Sequence, residues 1–348
     1  MGSPEAALFE KDYFAHLGAV ASVTERFGVP GSNDHARVLE ARVAGGLDFE
    51  VLPTRGFDIG NTFYKGLPMS WDSPVTATAP LAEFQGSAWL SRFNGGLLIT
   101  CGLDNVGSAR DRFGMHGNFS HLPATQISHS TTASPEQHGV QLDGVIESVS
   151  PFGPSLRVER TIHSWREGSD SANISVIDRI INFGGETTPM SVLHQLNLGA
   201  PLVVPGSVFE IPHRSVLSRD PSDSIGPVSV MPEFVRDSTE LVYEHIDPRV
   251  EDGWATATIS SPIIPVQIQV QWTLPRLYEW VFPSPRKWAV AIEPSNAARF
   301  GRGRENNFGP LLKSGERRVH EVRLLLSDHN QLGVPADDQY GNHDSNFQ

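Results

Sequence analysis

Three residues far apart in the chain have side chains suited to acid–base chemistry. Glu293 closes the apolar run 288–293 and is followed at once by Pro-Ser-Asn, which is typical of a buried strand that delivers an acid to a loop. His194 lies inside the apolar stretch 191–199, and His116 lies in a Gly-containing loop. A carboxylate can accept a proton and an imidazole can donate one near neutral pH. The trio therefore predicts one cleft that carries out proton transfer.

The same three residues allow other interpretations. Two His and one carboxylate can also bind a transition metal. The trio has no short ligand spacing such as H-x-H or H-E-x-x-H, so the sequence favours acid–base chemistry, and we expect no metal and no cofactor. A lone His inside an apolar strand, such as His194, is also typical of a core residue.

Five polar side chains could hold the hydroxyl groups of a substrate. Arg55 and Asp58 flank a Gly where a strand is expected to end, although a salt bridge at a turn would look the same. Asp104 and Asn105 follow an apolar run and are bounded by glycines, which let a ligand approach the backbone. Gln195 adjoins the apolar-strand histidine. We expect these five residues to line the cleft.

Short strands must position these residues, because 32 Gly and 26 Pro leave little room for long helices. The segments 38–43 and 47–52 alternate apolar and polar residues around Ala-Gly-Gly, which predicts a hairpin. The segment 266–272 alternates strictly, which predicts a strand with one face in a core.

The sequence predicts an all-β fold, a single large antiparallel β-sandwich. We expect an N-terminal extension over residues 1–34, the sandwich over 35–327 and a polar C-terminal tail over 328–348. No strand–helix alternation and no Gly-rich phosphate loop support a dinucleotide fold.

Composition excludes several classes of protein. The 348 residues carry 40 acidic and 27 basic side chains, a net charge of −13 without a basic cluster, so we expect no nucleic-acid partner. The single cysteine, Cys101, excludes a disulfide within the chain and is expected to be a small buried apolar residue. No run of about 18 apolar residues and no secretory signal are seen, so we expect a cytoplasmic protein without a membrane span. The oligomeric state stays open.

Much of the chain, about residues 35 to 327, resembles the aldose 1-epimerase (galactose mutarotase) family. The resemblance rests on Arg-Gly-Phe-Asp-Ile-Gly from Arg55, on the Gly-rich stretch from Gly96, on Met115-His-Gly and on His-Gln-Leu-Asn-Leu-Gly from His194. The family pattern contains Leu-His-Gly-Gly, then His-x-Tyr-Phe-Asn-Leu, then a late Glu.

The resemblance implies a galactose mutarotase-type β-sandwich with a small-molecule sugar bound in a cleft on one concave sheet. His116, His194 and Glu293 fall on the family's three catalytic positions in order. By this resemblance Glu293 is the base, His194 the acid and His116 a hydrogen-bond partner of the ring oxygen or a neighbouring hydroxyl. Another sugar isomerase, epimerase or lyase on the same scaffold, or a non-catalytic carbohydrate-binding protein, is the alternative.

Overall fold

β-Strands joined by turns and loops make up most of the chain that the structure describes. The structure is a computed structural model and describes residues 13–28, 37–75, 85–111, 113–134, 137–167, 171–221, 227, 229–236, 238–301 and 309–328. Within these ranges the helical segments are short 3₁₀ turns, at Leu17–Ala19, Ala88–Arg92 and Phe119–His121. No helix in this part of the chain is long and apolar enough to cross a membrane.

The first sheet contains eleven strands within the described ranges, and each pairs antiparallel with its neighbours. Their spatial order is β1 (Ala21–Phe27), β2 (Arg37–Val43), β3 (Leu47–Leu52), β4 (Asp58–Tyr64), β6 (Leu98–Leu103), β12 (Ser191–Leu198), β20 (Ala289–Ser295), β19 (Arg276–Phe282), β15 (Leu241–Ile246) and β14 (Ser215–Ser218), and β5 (Leu67–Pro68) pairs with β4.

The second sheet contains nine strands in the same part of the chain, again all antiparallel. Their order is β13 (Val208–Glu210), β17 (Trp254–Ser260), β18 (Val266–Trp272), β22 (Arg317–Asp328), β10 (Ser171–Asn182), β9 (Ser155–Glu167), β8 (Gln137–Val149) and β7 (Ala124–Ala133), with β16 (Val250–Glu251) on β17. A separate two-stranded ladder joins β11 (Thr188–Pro189) to β21 (Leu311–Leu312).

The two sheets pack face to face around one continuous apolar core. Phe49 of β3 and Val192 of β12 belong to the same buried cluster as Ile268 of β18 and Leu324 of β22. Alternation places these residues inward, since successive side chains of a strand point to opposite faces. The predicted all-β sandwich, the hairpin of β2 and β3 and the alternating strand β18 are therefore confirmed.

The first strand lies within the expected N-terminal extension. Residues 21–27, placed in an extension by the sequence, form β1 at the edge of the first sheet, where Ala21 pairs with Val43. Most of this edge strand is exposed and carries polar residues, so its sequence lacks the alternation by which strands are recognised. At the other end, β22 runs to Asp328, whose carboxylate accepts a hydrogen bond of 3.0 Å from the hydroxyl of Tyr64.

Candidate active site

β20 is buried on both faces, and Glu293 lies on the face that is turned away from the second sheet. Val290 and Ile292 belong to the core between the sheets. Ala289 and Ala291 belong to a second apolar cluster on the opposite face, and strand alternation places Glu293 with them. We call this the outer cluster; it consists of Trp89, Phe93, Ile99, Cys101, Val106, Leu193, Val242, Tyr278, Trp280, Ala289, Ala291 and Ala297.

The carboxyl group of Glu293 is fully buried and forms an ion pair with Arg299. Burial raises the pKa of Glu293, and the positive charge of Arg299 offsets part of that rise. Burial also raises the pKa of Cys101, helped by the negative charge of Glu293, so Cys101 is a buried neutral thiol as the sequence predicts. The site thus contains one carboxylate whose proton affinity is increased.

Buried acceptors without partners lie along this face. β12 and β20 pair Leu193 with Ser295 and Leu196 with Ile292, so Gln195 stands across from Glu293. Within the described residues, Oε1 of Glu293, Oε1 of Gln195 and Oδ1 of Asn197 have no hydrogen-bond partner. Each such acceptor costs about 1–3 kcal/mol. A bound molecule that donates several hydroxyl hydrogens would therefore be stabilised along this row.

Two residues that the sequence analysis missed complete the surroundings of Glu293. Tyr278 stands directly across from it on β19, and its hydroxyl oxygen accepts a 3.0 Å hydrogen bond from the backbone N–H of Arg299. Burial, then the charge of Glu244, raises the pKa of Tyr278 to about 12, so the phenol stays protonated. Arg299 could have been found in the sequence, because a buried carboxylate needs a nearby cation and Arg299 is the next basic residue after Glu293.

The structure does not bring His194 to Glu293. Val192 and Leu196, two residues to either side, lie in the core between the sheets, and His194 shares their face of β12. Its Nε2 lies 2.8 Å from the carboxylate of Asp178 on β10 of the second sheet. The expected cleft with both residues is not formed, and the two cannot ligate one metal ion. No group of three or more His, Cys, Asp or Glu in the described ranges could hold a metal.

A one-residue offset between this sequence and the family pattern explains why His194 lies away from Glu293. In the family pattern the His precedes the Asn by four positions, whereas His194 precedes Asn197 by three. A shift of one residue along a strand turns a side chain to the opposite face. Counted from Asn197, the family's His position is occupied by Leu193, which indeed belongs to the outer cluster on the side of Glu293.

His194 is instead part of a buried ion-pair network between the sheets. Arg160 of β9 binds Asp178 through two hydrogen bonds of 2.7 Å and reaches Asp58 of β4 at 2.6 Å. Thr100 donates to the same Asp58 carboxylate at 2.9 Å and 2.6 Å. Burial alone would raise the pKa of Asp178, but Arg160 and the hydrogen bond from His194 hold it well below its usual range. Asp58 therefore anchors the two sheets to each other, and it also lines the small cavity described below.

The loop that carries His116 packs against the outer cluster. The ring of His116 lies 4.4 Å from the ring of Trp89, centroid to centroid. The amide of Asn105 fixes the loop by donating to the carbonyls of Gly114 at 2.7 Å and Ser108 at 3.1 Å. Asp104 accepts a 3.1 Å hydrogen bond from the backbone of Asn118. The two residues expected to hold hydroxyl groups thus shape the loop, and His116 lies on the Glu293 side of the sheet.

A small cavity lies beside this face. It holds about 10 Å³, room for a single water molecule, and is lined by Arg55, Trp89, Phe93 and His121, and by Ile99, which pairs with Gln195. Burial lowers the pKa of Arg55 to about 10, an effect that Asp58 opposes and Arg92 reinforces. Burial, then the charges of Arg55 and Arg92, lowers the pKa of His121 to about 4. Trp89 and Phe93 cover the face, and a neutral His121 lies beside them.

Comparisons with known proteins agree with this fold. A family model described as "Domain of unknown function (DUF4432)" matches residues 33–326. No curated protein matches the chain. A candidate aldose 1-epimerase from Klebsiella pneumoniae is similar in structure, with a TM-score of 0.78 at 19% identity over 89% of this chain and 83% of that one. A galactose mutarotase-like protein from Clostridium acetobutylicum is similar with a TM-score of 0.59 at 12% identity, over 89% of this chain and 99% of that one. A candidate aldose 1-epimerase from Escherichia coli K12 is similar with a TM-score of 0.53 at 16% identity, over 82% of this chain and 97% of that one. These likenesses establish a galactose mutarotase-like fold.

Proposed function

The chain belongs to the DUF4432 family, and on that premise we propose that it is a carbohydrate-active isomerase of the aldose 1-epimerase type, with Glu293 as the base. One observation carries the proposal. The buried carboxylate of Glu293 has a raised pKa and an unpartnered oxygen, next to the unpartnered amide oxygens of Gln195 and Asn197 within the described residues. This row of acceptors suits a ligand that presents several hydroxyl groups on one side.

The reaction requires two proton transfers and no cofactor. Glu293 removes the proton from the anomeric hydroxyl, and the electron pair left on that oxygen forms a carbonyl at C1. The bond from C1 to the ring oxygen breaks, its electron pair stays on the ring oxygen, and an acid protonates that oxygen. After rotation about the C1–C2 bond, both transfers run in reverse and close the other anomer. The raised pKa of Glu293 makes its carboxylate a better proton acceptor.

His116 takes the role of the acid in this proposal. It lies against Trp89, on the same side of the first sheet as Glu293, whereas His194 is bound to Asp178 on the other side. The imidazole of His116 can protonate the ring oxygen as the ring opens and take the proton back as the ring closes. His194 then serves the packing of the sheets and takes no part in proton transfer.

Admission of a sugar requires a movement of the segment 85–93. Trp89 and Phe93 belong to the outer cluster on the face that carries the acceptors, and the cavity that they line has room for one water molecule. Displacing these side chains would uncover Glu293 and Gln195 together. Arg55, which lines the same small cavity, would then meet a substrate hydroxyl, where loss of a hydrogen-bond partner weakens binding.

The decisive experiment follows the equilibration of freshly dissolved pure anomers by NMR, over a panel of free aldoses. We expect the wild-type protein to accelerate it for at least one sugar and Glu293→Gln to lower the catalysed rate at least about 10²-fold, the low end for a general base. The amide is nearly the same shape as the acid, so the fold should persist. Glu251→Gln, at an exposed position on β16, is the matched control and should change nothing.

Two results would contradict the proposal. A folded Glu293→Gln protein that equilibrates its sugar at the wild-type rate would remove Glu293 as the base. A wild-type protein that binds free sugars but accelerates none of them would favour the non-catalytic carbohydrate-binding alternative.

A further inference from the structure

A second cavity lies apart from Glu293 and has no role in the proposed reaction. It has a volume of about 460 Å³ and lies where β12 ends and β20 begins. Three aromatic side chains, Trp71, Trp288 and Phe63, line it together with the polar side chains of Asn61, Asp72 and Arg286. Sites for small molecules typically have 300–1,000 Å³, apolar walls and a few polar groups. The size and the lining of this cavity therefore fit a small ligand.

The cavity is separated from Glu293 by distance and by packed rings. Trp288 precedes Glu293 by five positions, and a strand rises about 3.3 Å per residue, so about 16 Å lie between them. The ring of Trp71 packs 5.3 Å from that of Phe93 and 5.7 Å from that of Trp280, centroid to centroid. Trp71 is therefore the residue through which the cavity contacts the aromatic rings of the outer cluster. A monosaccharide in the cavity cannot reach Glu293.

The aromatic wall is fixed in place before any ligand binds. The indole N–H of Trp288 donates a 2.8 Å hydrogen bond to the carbonyl of Val203, and the ring meets Phe234 edge-on at 4.7 Å. Phe63 is 39% exposed and offers its ring to the cavity. Rigid aromatic surfaces bind apolar faces at a low cost in conformational entropy.

The polar residues of the cavity complement a neutral ligand that both donates and accepts hydrogen bonds. Asp72 and Arg286 are exposed, and within the described residues neither forms an ion pair. Asp72 supplies acceptors and Arg286 supplies donors, and the amide of Asn61 supplies both. The opposite charges cancel, so a strongly charged ligand is not favoured. Adjacent hydroxyl groups on a ring satisfy this combination.

We propose that this cavity is a second carbohydrate site, which binds one pyranose unit with an apolar C–H face on the aromatic wall and its hydroxyls on Asn61, Asp72 and Arg286. The site recognises the intact ring and needs no free anomeric hydroxyl. It is therefore independent of ring opening at Glu293.

Methyl glycosides test the inference separately from the isomerase proposal, because their rings cannot open. Binding of the methyl α- and β-pyranosides of glucose, galactose, mannose and xylose is measured by saturation-transfer NMR and by titration. We expect binding of at least one of them. Phe63→Ala and the double variant Asp72→Asn/Arg286→Gln should each weaken it at least about tenfold, the loss of one good contact to a charged or aromatic group. Glu293→Gln should leave this binding unchanged.

Matched controls lie at exposed positions elsewhere. Phe152→Ala is the control for Phe63→Ala, and Asp252→Asn with Arg249→Gln is the control for the double variant. The side chains changed in the cavity variants and in the controls are exposed. Circular dichroism checks that each variant stays folded. The inference is overturned if no methyl pyranoside binds. It is also overturned if the binding of methyl pyranosides survives the substitutions at the cavity. The same holds if Glu293→Gln abolishes that binding while the cavity variants retain it.

Discussion

A buried carboxylate is tolerated at Glu293 because the guanidinium of Arg299 compensates it from one side. The other oxygen is left for a ligand. His194 presents the opposite case, since its Nε2 is bound to Asp178, which Arg160 also holds. In the proposed reaction Glu293 exchanges a proton, whereas His194 is held in place by its hydrogen bond to Asp178.

His194→Gln should therefore affect stability and leave the chemistry largely intact. Loss of the hydrogen bond to Asp178 should lower the free energy of unfolding by about 1–3 kcal/mol. Urea unfolding measures this change. The rate of anomer exchange per folded molecule should stay within about twofold of wild type, because His194 faces away from Glu293.

His116→Gln is the counterpart and should show the reverse pattern. Exchange should fall by about 10²-fold or more through loss of the acid, with a small change in unfolding free energy. If His194→Gln abolished exchange in a protein as stable as wild type, the assignment of the acid to His116 would fail.

At the scale of elements, the antiparallel pairing of β6 with β12 positions the loop of His116. Gly102 has a φ of 124°, and its N–H donates a 2.9 Å hydrogen bond to the carbonyl of His116. A Cβ at Gly102 would lie 2.3 Å from the carbonyl oxygen of Ser191 and 3.0 Å from the Cα of Val192. Both obstacles are backbone atoms and cannot rotate away.

Gly102→Ala should consequently destabilise the protein by about 3 kcal/mol, from backbone strain and steric overlap together. Gly253→Ala is the matched control, because Gly253 also has a positive φ, of 84°, but a Cβ there meets nothing within 4 Å. That control should cost about 1 kcal/mol. Equal losses in the two variants, measured by urea unfolding, would show that close packing at Gly102 is unimportant.

The sequence predicted the positions of strands better than it predicted the face of the sheet on which each side chain lies. β18 alternates strictly, so its bounds and its core face could be read directly. β12 is buried at every position, and a strand with two apolar faces gives no sign of which face His194 occupies. Arg160 pairs with Asp178 on the neighbouring strand β10, but its other partner, Asp58, lies 102 positions earlier in the chain and on the opposite sheet. Pairing across the sandwich cannot be deduced from local pattern.

Burial of histidines sets a pH dependence for the whole molecule. The pKa of His121 and that of His320 are each lowered to about 4, chiefly by burial and then by neighbouring positive charge. In the unfolded chain both would titrate near 6.5. Between pH 6.5 and 4 the unfolded chain binds more protons than the folded one, so stability falls as the pH falls.

The free energy of unfolding should decrease steadily from pH 6.5 to pH 4, with His121 accounting for up to about 3 kcal/mol. The double variant His121→Gln/His320→Gln should show a clearly flatter profile. His129→Gln, on the exposed strand β7, is the control and should retain the wild-type slope. A double variant with an unchanged slope would mean that other groups control the acid sensitivity.

The position of β22 in the second sheet has a consequence for the synthesis of the protein on the ribosome. β22, the last strand among the described residues, lies in the interior of the second sheet, between β18 and β10. Until it has been synthesised, β10 and β18 each present an open edge, and such edges invite pairing with other chains. The nascent chain therefore cannot close its sheet during most of translation. Messenger RNAs truncated before the codon for Arg317 should yield protein that aggregates. Chaperones that cover exposed strand edges should matter most near the end of synthesis.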